Sequence, residues 1–212
     1  PNGDEYDKDV ALAILYAVDN GAKVINMSFG KSYSPNKNLV DDAFKYAEEN
    51  GVLLVQAAGN DNQNIDTSKN FPSDQFLNGG EATNLICVGA STLKTNKKMP
   101  AGFSNYGNTT VDIFAPGQDI ISTDVNNTYQ VSQGTSFAAP VVSGVAALIW
   151  SYYPNLTAAR VKEIILKSAT NKGKKKVKIP GSKKKIKFME LSTSDGIVNT
   201  YNALKLAEEM SK

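Results

Sequence analysis

The chain has 212 residues, 41% of them hydrophobic and 21% charged, with a formal net charge of +2. That is enough apolar chain for one sizeable core and too little net charge for global disorder. The single cysteine, Cys87, excludes an internal disulfide framework, and a histidine count of zero excludes His-based metal sites and any histidine general base supplied by this chain.

The chain opens on Pro1, with neither a methionine nor a basic, apolar signal pattern, so residues 1–212 are expected to be one domain cut from a longer polypeptide. Residues 9–20 carry Val10, Ile14, Ala17 and Val18 on one helical face, with Asp7 or Asp9 as the cap and Gly21 as the stop. Lys23 to Phe29 reads as a short apolar strand. A second helix over 38–50 follows, with Leu39, Val40, Ala43, Phe44 and Ala47 as its apolar face. The runs Val52–Ala58, Leu85–Val88 and Val111–Phe114 are further strands, apolar throughout. Such strands, separated by amphipathic helices, predict an α/β fold: a mostly parallel sheet with helices on both faces. No uninterrupted apolar stretch reaches the roughly 20 residues of a membrane span.

Between 59 and 84 the sequence turns to Asn, Asp, Ser, Gly and Gln, a loop at the carboxyl end of a strand, where open α/β sheets place their sites. Residues 136–152 form the most apolar helix, predicted to be central, with Ala139, Gly144 and Ala147 letting neighbouring backbone approach. Helices over 157–168 (Thr157 as cap; Val161, Ile164 and Ile165 inward) and 198–210 (Val198, Tyr201, Leu204 and Ala207 inward) complete the set. Between Lys172 and Lys187 lie nine lysines and no acid. Taking nine from +2 leaves −7 for the remainder, so one segment carries the basicity. Val177, Ile179, Ile186 and Phe188 interleave with those lysines and Ile179-Pro-Gly-Ser182 supplies a turn, which predicts a lysine-rich hairpin or loop over 172–190. No nucleic-acid motif accompanies it.

Three short motifs carry chemistry. In Gly134-Thr-Ser-Phe-Ala-Ala-Pro140, Ser136 sits at a helix amino end among unpaired backbone N–H groups, which can hold an oxyanion. In Ala57-Ala-Gly-Asn60, the Asn60 amide follows a buried strand and can donate into a strand-end cleft. In Asn26-Met-Ser-Phe-Gly30, the strand ends in a glycine that leaves backbone open to an extended partner. Taken singly, Ser136 reads as a helix cap, Asn60 as a turn residue and 26–30 as a core strand.

Together, and in order with Phe114-Ala-Pro-Gly117, these motifs resemble the carboxyl-terminal part of the catalytic domain of subtilisin-like serine proteases, the subtilases. The likeness runs from about residue 9 to 170 and resumes at Gly196–Tyr201, which looks like the closing helix of that family. The resemblance implies a serine endopeptidase in which Ser136 is the nucleophile and Asn60 an oxyanion donor, with the Ser136 backbone N–H as the second. It also implies that Ser28, Phe29 and Gly30 pair with the substrate main chain and that Ala57, Ala58 and Gly59 form the opposite wall, beside Gly134 and Thr135. A polypeptide substrate and an extracellular or cell-envelope location are implied by the family alone. No cofactor is required. Calcium held by loop oxygens occurs in such proteins, and the Asn/Asp-rich stretch 60–66 is the place to look for it. The floor of the specificity pocket is expected near Phe71-Pro-Ser-Asp-Gln-Phe76, with Asp74 solvated.

The family uses an Asp–His–Ser triad with the serine last in chain order, and this chain has no histidine. The aspartate and histidine are therefore expected upstream, the chain alone is expected to be inactive, and surface uncovered by the absent part is expected to favour self-association. The alternatives are a catalytically inactive, peptide-binding relative; a sedolisin-like site, which would need an aspartate where Asn60 stands; and a nucleotide or flavin binder, which would need a Gly-x-Gly-x-x-Gly loop that the sequence lacks.

Overall fold

The computed structural model describes residues 5–94 and 96–211. In chain order its elements are α1 (Asp7–Asp19), β1 (Val24–Met27), α2 (Lys37–Glu49), β2 (Leu53–Ala57), β3 (Leu85–Ser91), β4 (Ile113–Pro116), β5 (Ile120–Asp124), β6 (Thr128–Ser132), α3 (Thr135–Tyr152), α4 (Ala158–Lys167), β7 (Thr170–Asn171), β8 (Lys176–Lys178), β9 (Lys185–Lys187), β10 (Gly196–Ile197) and α5 (Thr200–Met210). Six strands form one sheet in the order β1-β2-β3-β4-β10-β7. Every pairing in it is parallel except β10 with β7. β5–β6 and β8–β9 are separate antiparallel hairpins.

The alternation of strand side chains explains why both faces are covered. Leu53, Val55, Ala57, Ile86, Val88, Ile113 and Ala115 share a core with α3, α4 and α5. Leu54, Met27 and Leu85 pack instead against Val10, Ile14 and Val18 of α1 and Val40 and Phe44 of α2. Further along this second face Cys87 and Phe114 meet Val177 and Phe188, which anchor the β8–β9 hairpin. The Phe114 and Phe188 rings meet edge to face at 5.3 Å. Each such fully buried side chain contributes about 1.5–3 kcal/mol.

Several sequence expectations shift in detail. Tyr6, not an aspartate, is the N-cap residue of α1 and makes no side-chain cap. Thr157 caps α4 by accepting the Arg160 N–H at 3.3 Å. Leu39 and Tyr201 face solvent, and the buried positions of α5 are Ala203 and Ala207. The last core strand starts at Ile113, not Val111. Helix α3 buries one face against the sheet and exposes Pro140, Gly144, Ala147 and Leu148, so it flanks the sheet and is not surrounded. A Cβ at Gly144 would meet nothing within 4 Å, so this glycine admits no neighbour. By length and composition α3 could cross a bilayer; in this fold it packs on β1 to β4 and on α4 and α5. β1 pairs with β2 alone, so its other side is an open edge among the described residues.

Candidate active site

β1 and β2 end side by side, with Met27 opposite Gln56, and α3 begins beside the chain leaving them. Ser136 is the second residue of α3 and is half-buried. It is not the helix cap; that position is Gly134. The Ser136 hydroxyl donates to the Ser28 carbonyl at 3.1 Å, and the Ser28 hydroxyl donates back to the Ser136 carbonyl at 2.8 Å. Asn26 Nδ2 donates to Ser28 Oγ at 2.8 Å and its Oδ1 accepts from Ser143 of α3 at 3.1 Å. The carboxyl end of β1 is thereby stitched to the first turns of α3.

Asn60 faces the same helix start. Its Oδ1 accepts the Thr135 N–H at 2.8 Å and the Thr135 hydroxyl at 3.1 Å, while Thr135 Oγ1 accepts the Gly59 N–H at 3.1 Å. A backbone N–H only donates, so the atom opposite it has to be the amide oxygen. The amide NH2 is then the free end, without a protein acceptor among the described residues. Gly134, at φ +145°, decides what lies in front of it. A Cβ on residue 134 would stand 3.6 Å from both Asn60 Nδ2 and the Ser136 backbone nitrogen. The volume before these two donors is open because residue 134 has no side chain.

The loop carrying Asn60 is held by Asn105, which is 1% exposed. Its Nδ2 donates to the Ala58 carbonyl at 2.9 Å, its Oδ1 accepts the N–H groups of Asp61 and Gln63 at 3.0 Å each, and its own N–H reaches the Gly59 carbonyl at 2.9 Å. Gly59 (φ +99°) makes this approach feasible, since a Cβ there would lie 2.3 Å from Asn105 Nδ2. Sequence reasoning missed Asn105: in Phe103-Ser-Asn-Tyr-Gly107 it looks like any turn asparagine, and only the fold brings it 45 residues back to Asn60.

One cavity of 440 Å³ joins Phe29, Gly30, Ala57, Gly59, Asn60, Thr135 and Ser136. Three residues grouped with its walls are not part of its lining: Ala58 is fully buried with its carbonyl taken by Asn105, Ser28 is hydrogen-bonded to Ser136, and Gly134 is buried just before α3. Lys31, Asp61, Lys69 and Asn70 also line the cavity. Asn70 Oδ1 lies 3.6 Å and 3.5 Å from where Cβ atoms on Gly30 and Gly59 would stand. Residues 71–76 are therefore not its floor; they line an adjoining cavity of 470 Å³, with Asp74 half-buried in it. Burial pushes the Asp74 carboxyl above its ordinary range, against the pull of Lys162. In the stretch 60–66, Asp66 accepts from the backbone N–H groups of Asn108, Thr109 and Thr110 and from both threonine hydroxyls. Those oxygens are committed to protein donors and do not fit a cation. No group of three His, Cys, Asp or Glu side chains gathers anywhere among the described residues.

Lys31 is fixed by Asp7, 2.7 Å away, and Asp7 also accepts from the Ser34 hydroxyl at 2.8 Å and the Asn36 N–H at 2.7 Å. Burial alone would raise the Asp7 carboxyl; Lys31, Asn36 and Ser34 outweigh it and hold the group below its ordinary value. A depressed folded pKa adds stability that is present above the unfolded value and is lost as the pH falls through the folded one. The urea midpoint should therefore drop below about pH 4, and that drop should be smaller in Asp7→Asn.

The Subtilase family model matches residues 1–182. The chain belongs to the subtilase family. It is 36% identical over 203 residues to the thermophilic serine proteinase of Bacillus sp. (strain AK1), covering 96% of this chain and 43% of that protein. It is 37% identical over 174 residues to the extracellular serine proteinase of Thermus sp. (strain Rt41A), covering 80% of this chain and 38% of that one. The chain thus spans less than half the length of these two relatives. Among solved structures, the prenylagaramide maturation protease PagA superposes with a TM-score of 0.73 at 29% identity, over 95% of this chain and 67% of that one. This subtilase chain has the subtilisin-like arrangement of parallel sheet and flanking helices.

Proposed function

We propose that this chain carries the nucleophile and the oxyanion donors of a serine endopeptidase. The observation that supports it most is the shared cavity: Ser136 and Asn60 line it together, and the Asn60 amide is anchored through its oxygen so that its NH2 stays available. Ser136 Oγ attacks the scissile carbonyl carbon, and its proton passes to a base. The carbonyl oxygen becomes the oxyanion, held by Asn60 Nδ2 and the Ser136 N–H. Collapse expels the amine, which takes the proton from the base, and water then hydrolyses the acyl-enzyme by the same route. The substrate main chain lies as an added strand along Phe29–Gly30, with Ala57 and Gly59 on the opposite wall of the cavity.

The base is a histidine oriented by an aspartate, on polypeptide outside this chain, because the chain contains no histidine. This chemistry calls for no cofactor. An extracellular location follows from family resemblance, in line with the name of the Thermus relative. One observation favours a second reading, a peptide-binding module without turnover: the Ser136 hydroxyl already donates to the Ser28 carbonyl.

The two readings part on reaction with a fluorophosphonate probe, in which Ser136 Oγ bonds to phosphorus as fluoride leaves. A longer polypeptide that includes this chain should be labelled, and its Ser136→Ala variant should not. This chain alone should stay unlabelled. A folded longer polypeptide that binds peptide but takes no label would overturn the enzymatic reading in favour of the binding module.

A further inference from the structure

The lysine hairpin does not line the cavity shared by Ser136 and Asn60, and its register is unusual for a solvated loop. In β8–β9 the register sets Lys176 opposite Lys187 and Lys178 opposite Lys185. Like charges directly opposite on one face are destabilising, yet both pairs on this face are lysine with lysine. The other face holds the hairpin in place, with Val177 and Phe188 fully buried. Glu190 uses its carboxylate to accept the Lys187 backbone N–H at 2.9 Å. No carboxylate stands within ion-pair distance of these four lysines among the described residues.

The fold then adds lysines that the sequence places some 80 residues away. The Lys178 N–H donates to the Lys97 carbonyl at 2.8 Å, which brings the loop after β3 against the hairpin. Between them lies a cleft of 450 Å³ lined by Lys94 and Lys98 on one side and Lys178 and Lys183 on the other. Thr92, Gln118 and Ser182 add polar groups, and among the described residues no acidic side chain lines the cleft.

We propose that this cleft and the hairpin face beside it bind an anionic polymer bearing a phosphate at each repeat. A single chain enters a concave cleft and continues past Lys178 onto the hairpin, where same-face lysines recur about every 6.6 Å along each strand. A bilayer surface would meet the hairpin face but not the cleft. Among the described residues no aromatic side chain lines the cleft to stack a base, which favours a phosphate polymer without bases over nucleic acid.

The test uses the purified chain and long-chain inorganic polyphosphate, with binding followed by fluorescence anisotropy across a salt series. Log K should fall linearly with log salt, with a slope near −0.7 per phosphate engaged, the value for single strands. The variant Lys94→Gln, Lys98→Gln, Lys178→Gln, Lys183→Gln should bind weakly, with a slope shallower by about three, and its thermal midpoint should not fall. Orthophosphate at equal phosphate concentration should not compete. A control variant with Lys8, Lys23, Lys45 and Lys205 changed to Gln should bind as the parent does. The proposal is overturned if the cleft variant keeps its affinity or if the control loses as much. It is equally overturned if acidic phospholipid vesicles are bound and polyphosphate is not, or if single-stranded DNA is bound far more tightly than polyphosphate.

Discussion

If the proposed serine endopeptidase reading is right, replacing Asn60 by alanine should lower kcat by about 10²–10³, or about 2.7–4 kcal/mol, with KM nearly unchanged. The magnitude is taken from the equivalent donor of subtilisin rather than from this geometry. The sign and the kcat–KM split do follow from the geometry: Nδ2 faces open volume, where charge appears only after attack. Asn60→Asp is the sharper variant. It keeps an oxygen for the Thr135 N–H, so the loop stays anchored, but it sets a carboxylate where the oxyanion would form. Steady-state kinetics should find it at least as impaired as Asn60→Ala. A variant affected in KM alone would show that Asn60 only lines the cavity.

Asn105→Ala should be the most damaging substitution outside the reacting groups. It leaves the buried Ala58 carbonyl and the part-buried Asp61 and Gln63 N–H groups without their partner. At about 1–3 kcal/mol for each unmet group, and with water reaching some of them, about 3–5 kcal/mol of unfolding free energy should be lost. Urea denaturation of the chain measures this directly. Because Asn105 grips the residues on both sides of Asn60, kcat should fall further than the lost stability explains at temperatures where the variant is still folded.

The parallel sheet and its flanking helices were legible because β2 and β3 are buried at every position and α2 and α4 carry one apolar stripe each. The β5–β6 hairpin escaped notice for the opposite reason. Ile121 and Val131 are cross-strand partners, and both they and Tyr129 face solvent, so nothing in the pattern ties those strands to a core. β7 and β10, at two residues each, leave no periodicity to read. At the site, Ser136 and Asn60 stood out through their motifs, but which end of the Asn60 amide is free depends on Thr135, 75 residues away. Phe71–Phe76, expected as the floor, line the adjoining cavity instead, and Asn70 approaches the site because Gly30 and Gly59 carry no side chains. Contacts of such long range have no local signature.

The bare side of β1 has a direction. Every core pairing from β1 to β4 runs the same way, so a newcomer continuing that ladder in the same sense would finish level with Asn26 and Ser28, at the doorstep of Ser136. Two copies of this chain joined edge to edge about a twofold axis would run in opposite senses and carry their strand tips apart. A strand added in that sense would bring its carboxyl end, with the side chains it carries there, up to the Ser136 hydroxyl, which a twofold pair of these chains would not do.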